Sequence, residues 1–179
     1  MAFDRLLVRP TIKERSATLP GDEIVAPADV VMDRAFTLPA PPTVVWPWLV
    51  QLGKRRAGWY FPRAVERLMP RSRRALRYVE PSLLVHRVGD VIPDWGGADA
   101  TFTLAAIEPE RLLLYTSTRG RTDLTWCLHV APVAVGSRVH LRLRLAPVKH
   151  RRLAEVGGGF FDLVTIAGLA AGLSERVQG

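Results

Sequence analysis

The chain of 179 residues has a single cysteine, Cys127, so no disulfide forms within it and no cysteine-rich metal site can be built. Its most apolar stretch, Phe160 to Leu173, falls short of the ~20 residues a bilayer span needs and carries Asp162, so it reads as a buried helix. The opening MAFDRLLVRP carries Asp4 and two arginines and never reaches the apolar core of a secretory signal, so a cytoplasmic protein is the expectation. Catalytic signatures are missing as well: there is no G-x-S-x-G elbow, no P-loop, no G-x-G-x-x-G and no H-E-x-x-H. Gly157 to Gly159 has no lysine after it and no strand before it, and reads as a hinge into the last helix rather than a phosphate loop.

What is present is the composition of one globular domain: 48% hydrophobic and 23% charged residues over a length that can bury a core. The net charge of +8 and a pI near 10.7 raise nucleic acid or an anionic membrane as partners. The arginines are scattered, however, with local clusters only at Lys54–Arg56, Arg71–Arg77 and Lys149–Arg152, and no nucleic-acid motif accompanies them. Nucleic acid is therefore not expected, and the membrane enters only as a peripheral contact.

Residues 1–30 are polar and turn-rich and read as an arm over the domain formed by 31–179. A strand is expected over Val31–Leu38, stopped by the PAPP that starts a helix running through TVVWPWLVQLG to Gly53, with a bend near Trp46 because Pro47 forfeits a backbone hydrogen bond. A short helix follows over FPRAVERLM, then strands at Leu83–Val85, Thr101–Ile107 and Arg111–Thr116. In RTDLTWCLHVAPVAVGSRVHLRLRLAP apolar and polar residues alternate strictly. A loop over Val133–Gly136 then pairs Val130 with Val139, Leu128 with Leu141 and Trp126 with Leu143, and on a wet opposite face Cys127 with Arg142 and His129 with His140. That histidine pair sits among arginines without a third ligand, so no metal is expected; Cys127 reads as a bystander, and no cofactor is called for.

The order of elements is that of an α+β protein, a curved antiparallel sheet packed on a long C-terminal helix. The strings DRAFTLPAPPTVVWPWLVQLGKRRAGWYFPRAVERL, VGDVIPDW, IEPERLLLY, LTWCLHVAP and GSRVHLRLRL resemble the SRPBCC superfamily, the START-like, helix-grip group related to polyketide cyclases. The string VWPWLVQLG followed by RAGWY is similar to bacterial members without an assigned function. The resemblance implies a sheet curled round the last helix, enclosing a cavity for a lipid- or polyketide-like molecule.

From the residues themselves, an inward hairpin face supplies Trp126, Leu128, Leu141 and Leu143, and the last helix supplies Phe160, Phe161 and Val164. Trp59, Tyr60, Asp94 and Tyr115 complete the expected ligand-binding set. An acid–base pair could come only from Tyr60, Glu66 or Asp94, each of which also has a structural explanation: Tyr60 plugs the interior, Glu66 pairs with arginine, Asp94 orders the PDWGG turn. Gln51 is a helix-end cap on the same reasoning. Binding of an apolar small molecule leads, a cyclase or dehydratase-like enzyme is the first alternative, and a surface-acting interaction domain the second. The absence of any catalytic signature leans the reading away from an enzyme.

Overall fold

Strict alternation folds Thr122–Val133 and Gly136–Ala146 into the strands β5 and β6 of a computed structural model, which describes residues 8–179. The opening residues read for a signal lie, up to residue 7, outside the described ones. The hairpin register is the one the alternation predicts: Val130 faces Val139, Leu128 faces Leu141, Trp126 faces Leu143, Cys127 faces Arg142 and His129 faces His140. The turn is tighter than expected, since Val133 pairs directly with Gly136. Gly136 has φ of 138°, and a Cβ there would lie 2.1 Å from the Leu38 carbonyl oxygen, so only glycine closes this turn against its neighbour.

The sheet has six antiparallel strands in the order β1-β6-β5-β4-β3-β2, with β1 at Val30–Leu38, β2 at Val91–Pro93, β3 at Thr101–Glu108 and β4 at Leu112–Arg119. The strand expected at Leu83–Val85 does not form. Pro81–Leu83 is a 3-10 turn instead, started by Pro81 and capped by Glu80, whose carboxylate accepts from the Ser82 N–H.

A capping box of Thr11 and Glu14 starts the short helix α1, Ile12–Ser16. Helix α2 spans Pro42–Gln51 and is not broken at Pro47, and α3 is limited to Arg63–Arg67. The C-terminal helix begins with one turn, α4, at Arg151–Leu153, passes through a π-helical turn at Ala154–Gly158 and continues as α5, Gly159–Val177. By length and composition Arg151–Val177 is apolar enough to cross a membrane. Its C-terminal half is spent on the core: Ile166, Leu169, Ala170 and Leu173, spaced i, i+3, i+4, i+7, pack with Phe36, Leu128, Val130, Val139 and Leu141 of the inner sheet face. Each large side chain so buried contributes about 1.5–3 kcal/mol. Gly172 brings the helix backbone close enough that a Cβ there would stand 2.7 Å from the Phe61 nitrogen.

The outer face, expected to be wet, is covered. Cys127, His140 and Arg142 are only 3, 4 and 3% exposed because the arm lies over them. Arg142 donates to the carbonyls of Ala17 (2.7 Å), Glu14 (3.0 Å) and Arg15 (3.1 Å) and pairs with Asp22 (2.7 Å) and Asp33 (3.0 Å). Leu19 closes a second small core with Leu112, Leu114 and Cys127. Burial there pushes the Cys127 thiol up to about 12, which keeps it neutral and unreactive.

Candidate functional site

The loop after α2 aims two aromatic residues in different directions. Gly53 and Gly58 exchange backbone hydrogen bonds of 3.4 and 3.0 Å and close the turn Lys54–Ala57, with φ of 146° and 88° that side chains rarely adopt. Trp59 emerges from it between sheet and helix. Its indole N–H donates to the Thr165 carbonyl of α5 (3.2 Å), and its ring stacks on Trp126 of β5 with centroids 6.2 Å apart. Trp95 meets the other side edge-on at 5.8 Å. Beneath, Trp126 lies against Phe102 (5.7 Å) and Tyr115 (5.9 Å), so five aromatic side chains form one continuous wall.

That wall bounds a cavity of about 30 Å³, completed by Leu49, Leu52, Gly53, Ile92, Pro93, Asp94 and Leu128. The space holds a water or two and no larger ligand. Asp94 ion-pairs with Arg119 and accepts from the Gly96 N–H (3.1 Å), while the Arg119 guanidinium lies 5.1 Å over the Phe102 ring. The Tyr115 hydroxyl makes no hydrogen bond among the described residues, and burial raises its pKa, so at neutral pH it stays a proton donor. Beside Gly53, Arg56 is drawn inward, donating to the carbonyls of Val50 and Leu83, and its Nε has no hydrogen-bond partner among the described residues. Burial, then the charge of Arg56, holds the neighbouring His86 below its usual pKa and hence neutral.

Of the residues read from the sequence, Trp59, Asp94, Tyr115, Trp126 and Leu128 come together around this cavity. Leu141 is in the adjoining core, and Leu143 lies beside Trp126 on the inner face without lining the space. Phe160, Phe161 and Val164 do not face inward: they are 68, 71 and 53% exposed, because α5 turns its buried stripe to the sheet only from Ile166 onward. Tyr60 is fully buried away from the cavity, with its hydroxyl donating to the Trp48 carbonyl (2.9 Å) and Arg176 stacked 4.5 Å over its ring. Glu66 is held by Arg176 (2.6 Å) and Arg77 (2.8 Å), and Gln51 bridges the backbone of Tyr78 and Glu80. Each of the three acid–base candidates is therefore committed to another group.

Trp95, Phe102, Ile92 and Leu49 line the site and Arg56 lies beside it, and none of them was singled out by its sequence context. Phe102 had a signal, an inward position in an alternating strand; Arg56 had the opposite one, a place in a basic run that reads as solvated.

No family model and no curated protein matches the chain. Solved structures share its fold. A protein from Rhodobacter sphaeroides superposes with a TM-score of 0.53 at 16% identity over 86% of this chain and 95% of that one. A protein from Chromobacterium violaceum gives 0.51 at 14%, over 83% and 97%. DynU16, described as a protein in the dynemicin biosynthetic locus, gives 0.52 at 14% identity, over 85% of this chain and 48% of its own. At these identities the similarity is one of fold.

Proposed function

We propose that the protein binds an apolar, flat small molecule of lipid- or polyketide-like character against the aromatic wall between sheet and C-terminal helix, in the cytoplasm and without assigned chemistry. The observation that carries this reading is the continuity of Trp59, Trp95, Phe102, Tyr115 and Trp126 around one space, with the protonated Tyr115 phenol on its wall. Aromatic faces reward a flat partner through offset stacking, and Tyr115 supplies one directional hydrogen bond to a carbonyl or hydroxyl. A cavity of about 30 Å³ admits such a molecule only if Trp59 and Trp95 swing away. Trp59 is held by one long hydrogen bond and ring contacts, and Trp95 is already 50% exposed, so the roof can open without unfolding the sheet. The helix-grip fold, the SRPBCC resemblance and the setting of DynU16 support the same ligand class. The cyclase alternative has less support, because Asp94, the carboxylate on the cavity wall, is neutralised by Arg119.

Native mass spectrometry, with extraction of any retained molecule, and tryptophan quenching by a panel of fatty acids and polycyclic quinones test this. A saturable one-to-one adduct is expected, weakened about tenfold or more by Trp126→Ala and less by Tyr115→Phe. No adduct and no quenching across the panel would sink the reading.

A further inference from the structure

The N-terminal half of the C-terminal helix offers solvent an apolar face that nothing in the described chain covers. Leu153, Val156, Phe160, Phe161 and Val164 are 71, 76, 68, 71 and 53% exposed. Leu153, Val156, Phe160 and Val164 recur every three or four residues and make one stripe, with Phe161 beside it. A contiguous patch of this kind on a monomer marks a docking surface rather than chance exposure.

The charges around the stripe indicate what docks. Lys149, His150, Arg151 and Arg152 precede it and are all exposed. Among them only Arg151 has an acidic partner within the described residues, Glu155 at 2.9 Å. The other carboxylate in this stretch, Asp162, is withdrawn from the surface: Arg34 of β1 holds it at 2.8 Å and also donates to the Gly159 carbonyl (2.8 Å). Of the two carboxylates in this stretch, the exposed Glu155 is thus paired with Arg151 and Asp162 is drawn inward, which leaves Lys149 and Arg152 as the excess charge at the head of the apolar face, on a chain whose net charge is +8.

From this arrangement we infer that the Leu153–Val164 face docks on the surface of an anionic phospholipid bilayer, with the phenylalanines at the headgroup–acyl boundary and Lys149 and Arg152 against lipid phosphates. A second copy would set the same cations against one another. The segment is about 17 Å long at 1.5 Å per residue, enough to lie in the interface and too short for a hydrocarbon core of about 30 Å. The rest of the helix cannot follow it in, because Leu169 and Leu173 are fully buried and Arg176 is locked to Glu66 at 2.6 Å. This inference stands apart from the cavity reading: it needs no ligand and uses other residues.

Cosedimentation of the full chain with phosphatidylcholine vesicles and with mixed phosphatidylcholine–phosphatidylglycerol vesicles, at low and high salt, tests it. Binding is expected to the mixed vesicles, to weaken with salt, and to fall about tenfold or more in Phe160→Ser/Phe161→Ser. Both side chains are exposed, so the melting temperature of that variant should stay at the wild-type value. Lys149→Glu/Arg152→Glu should remove the preference for phosphatidylglycerol. Failure to bind mixed vesicles, or undiminished binding of the serine variant, overturns the inference. So does a dimer in sedimentation velocity that the serine variant dissociates, which would assign the face to a second copy.

Discussion

Arg176 carries a guanidinium into the core under the last turn of α5, and Glu66 is what makes that tolerable. The two side chains are 1 and 5% exposed and 2.6 Å apart, and Arg176 spends its remaining donors on the carbonyls of Leu76, Phe61 and Gly172. Removing one member of such a buried pair strands the other, a loss of about 3–5 kcal/mol. Glu66→Gln is therefore expected to lower the unfolding free energy by about 3 kcal/mol in urea titration, with no change in the ligand panel, because Glu66 is remote from the cavity. That Glu66 would pair with an arginine follows from the density of arginines around it in sequence. Which arginine it meets does not, since Arg176 stands 110 residues away.

At the scale of elements the arm shows how one layer changes the character of another. Its grip is electrostatic: Arg138 reaches Glu14 at 2.7 Å and the Arg9 carbonyl at 3.0 Å, alongside the Arg142 fan. The hydrogen bond from Arg138 holds the Glu14 carboxyl down to about 2, against an ordinary 4.5. Burial works to raise the Asp33 carboxyl, yet bonds from His140 and Arg142 keep it below its usual value. Depressed folded values mean stability that is full above pH 4.5 and is lost as pH falls towards 2. Glu14→Gln should accordingly melt below wild type at neutral pH, with the gap in melting temperature closing as the pH approaches 2. Alternation predicts a wet face for the hairpin, and the structure covers that face instead. The arm supplies the Glu14, Arg15 and Ala17 carbonyls and the Asp22 carboxylate that, with Asp33 of β1, satisfy Arg142 without water.

For the molecule as a whole, Trp59 joins the layers, tying the Thr165 backbone of α5 to Trp126 of the sheet. Trp59→Ala is expected to lower stability by about 3 kcal/mol and to open an apolar space of the order that admits a benzene-sized ligand, seen as new saturable uptake of small arenes. A variant that loses stability without gaining uptake would show that the helix collapses onto the sheet instead.

Periodicity and turn chemistry determined the β5–β6 register, the proline-started helix and the inward side of Trp126 and Leu128, and the order of elements together with the family resemblance determined the α+β class, because alternation and caps act over a few residues. Tertiary structure decided the rest. It filled the interior with Trp59, drew Arg56 inward from a basic run, buried Cys127 under the arm and left Phe160 and Phe161 in solvent. The physical reason is that burial depends on which surfaces meet: an amphipathic pattern tells a side chain which face it is on, and only packing decides whether that face is covered.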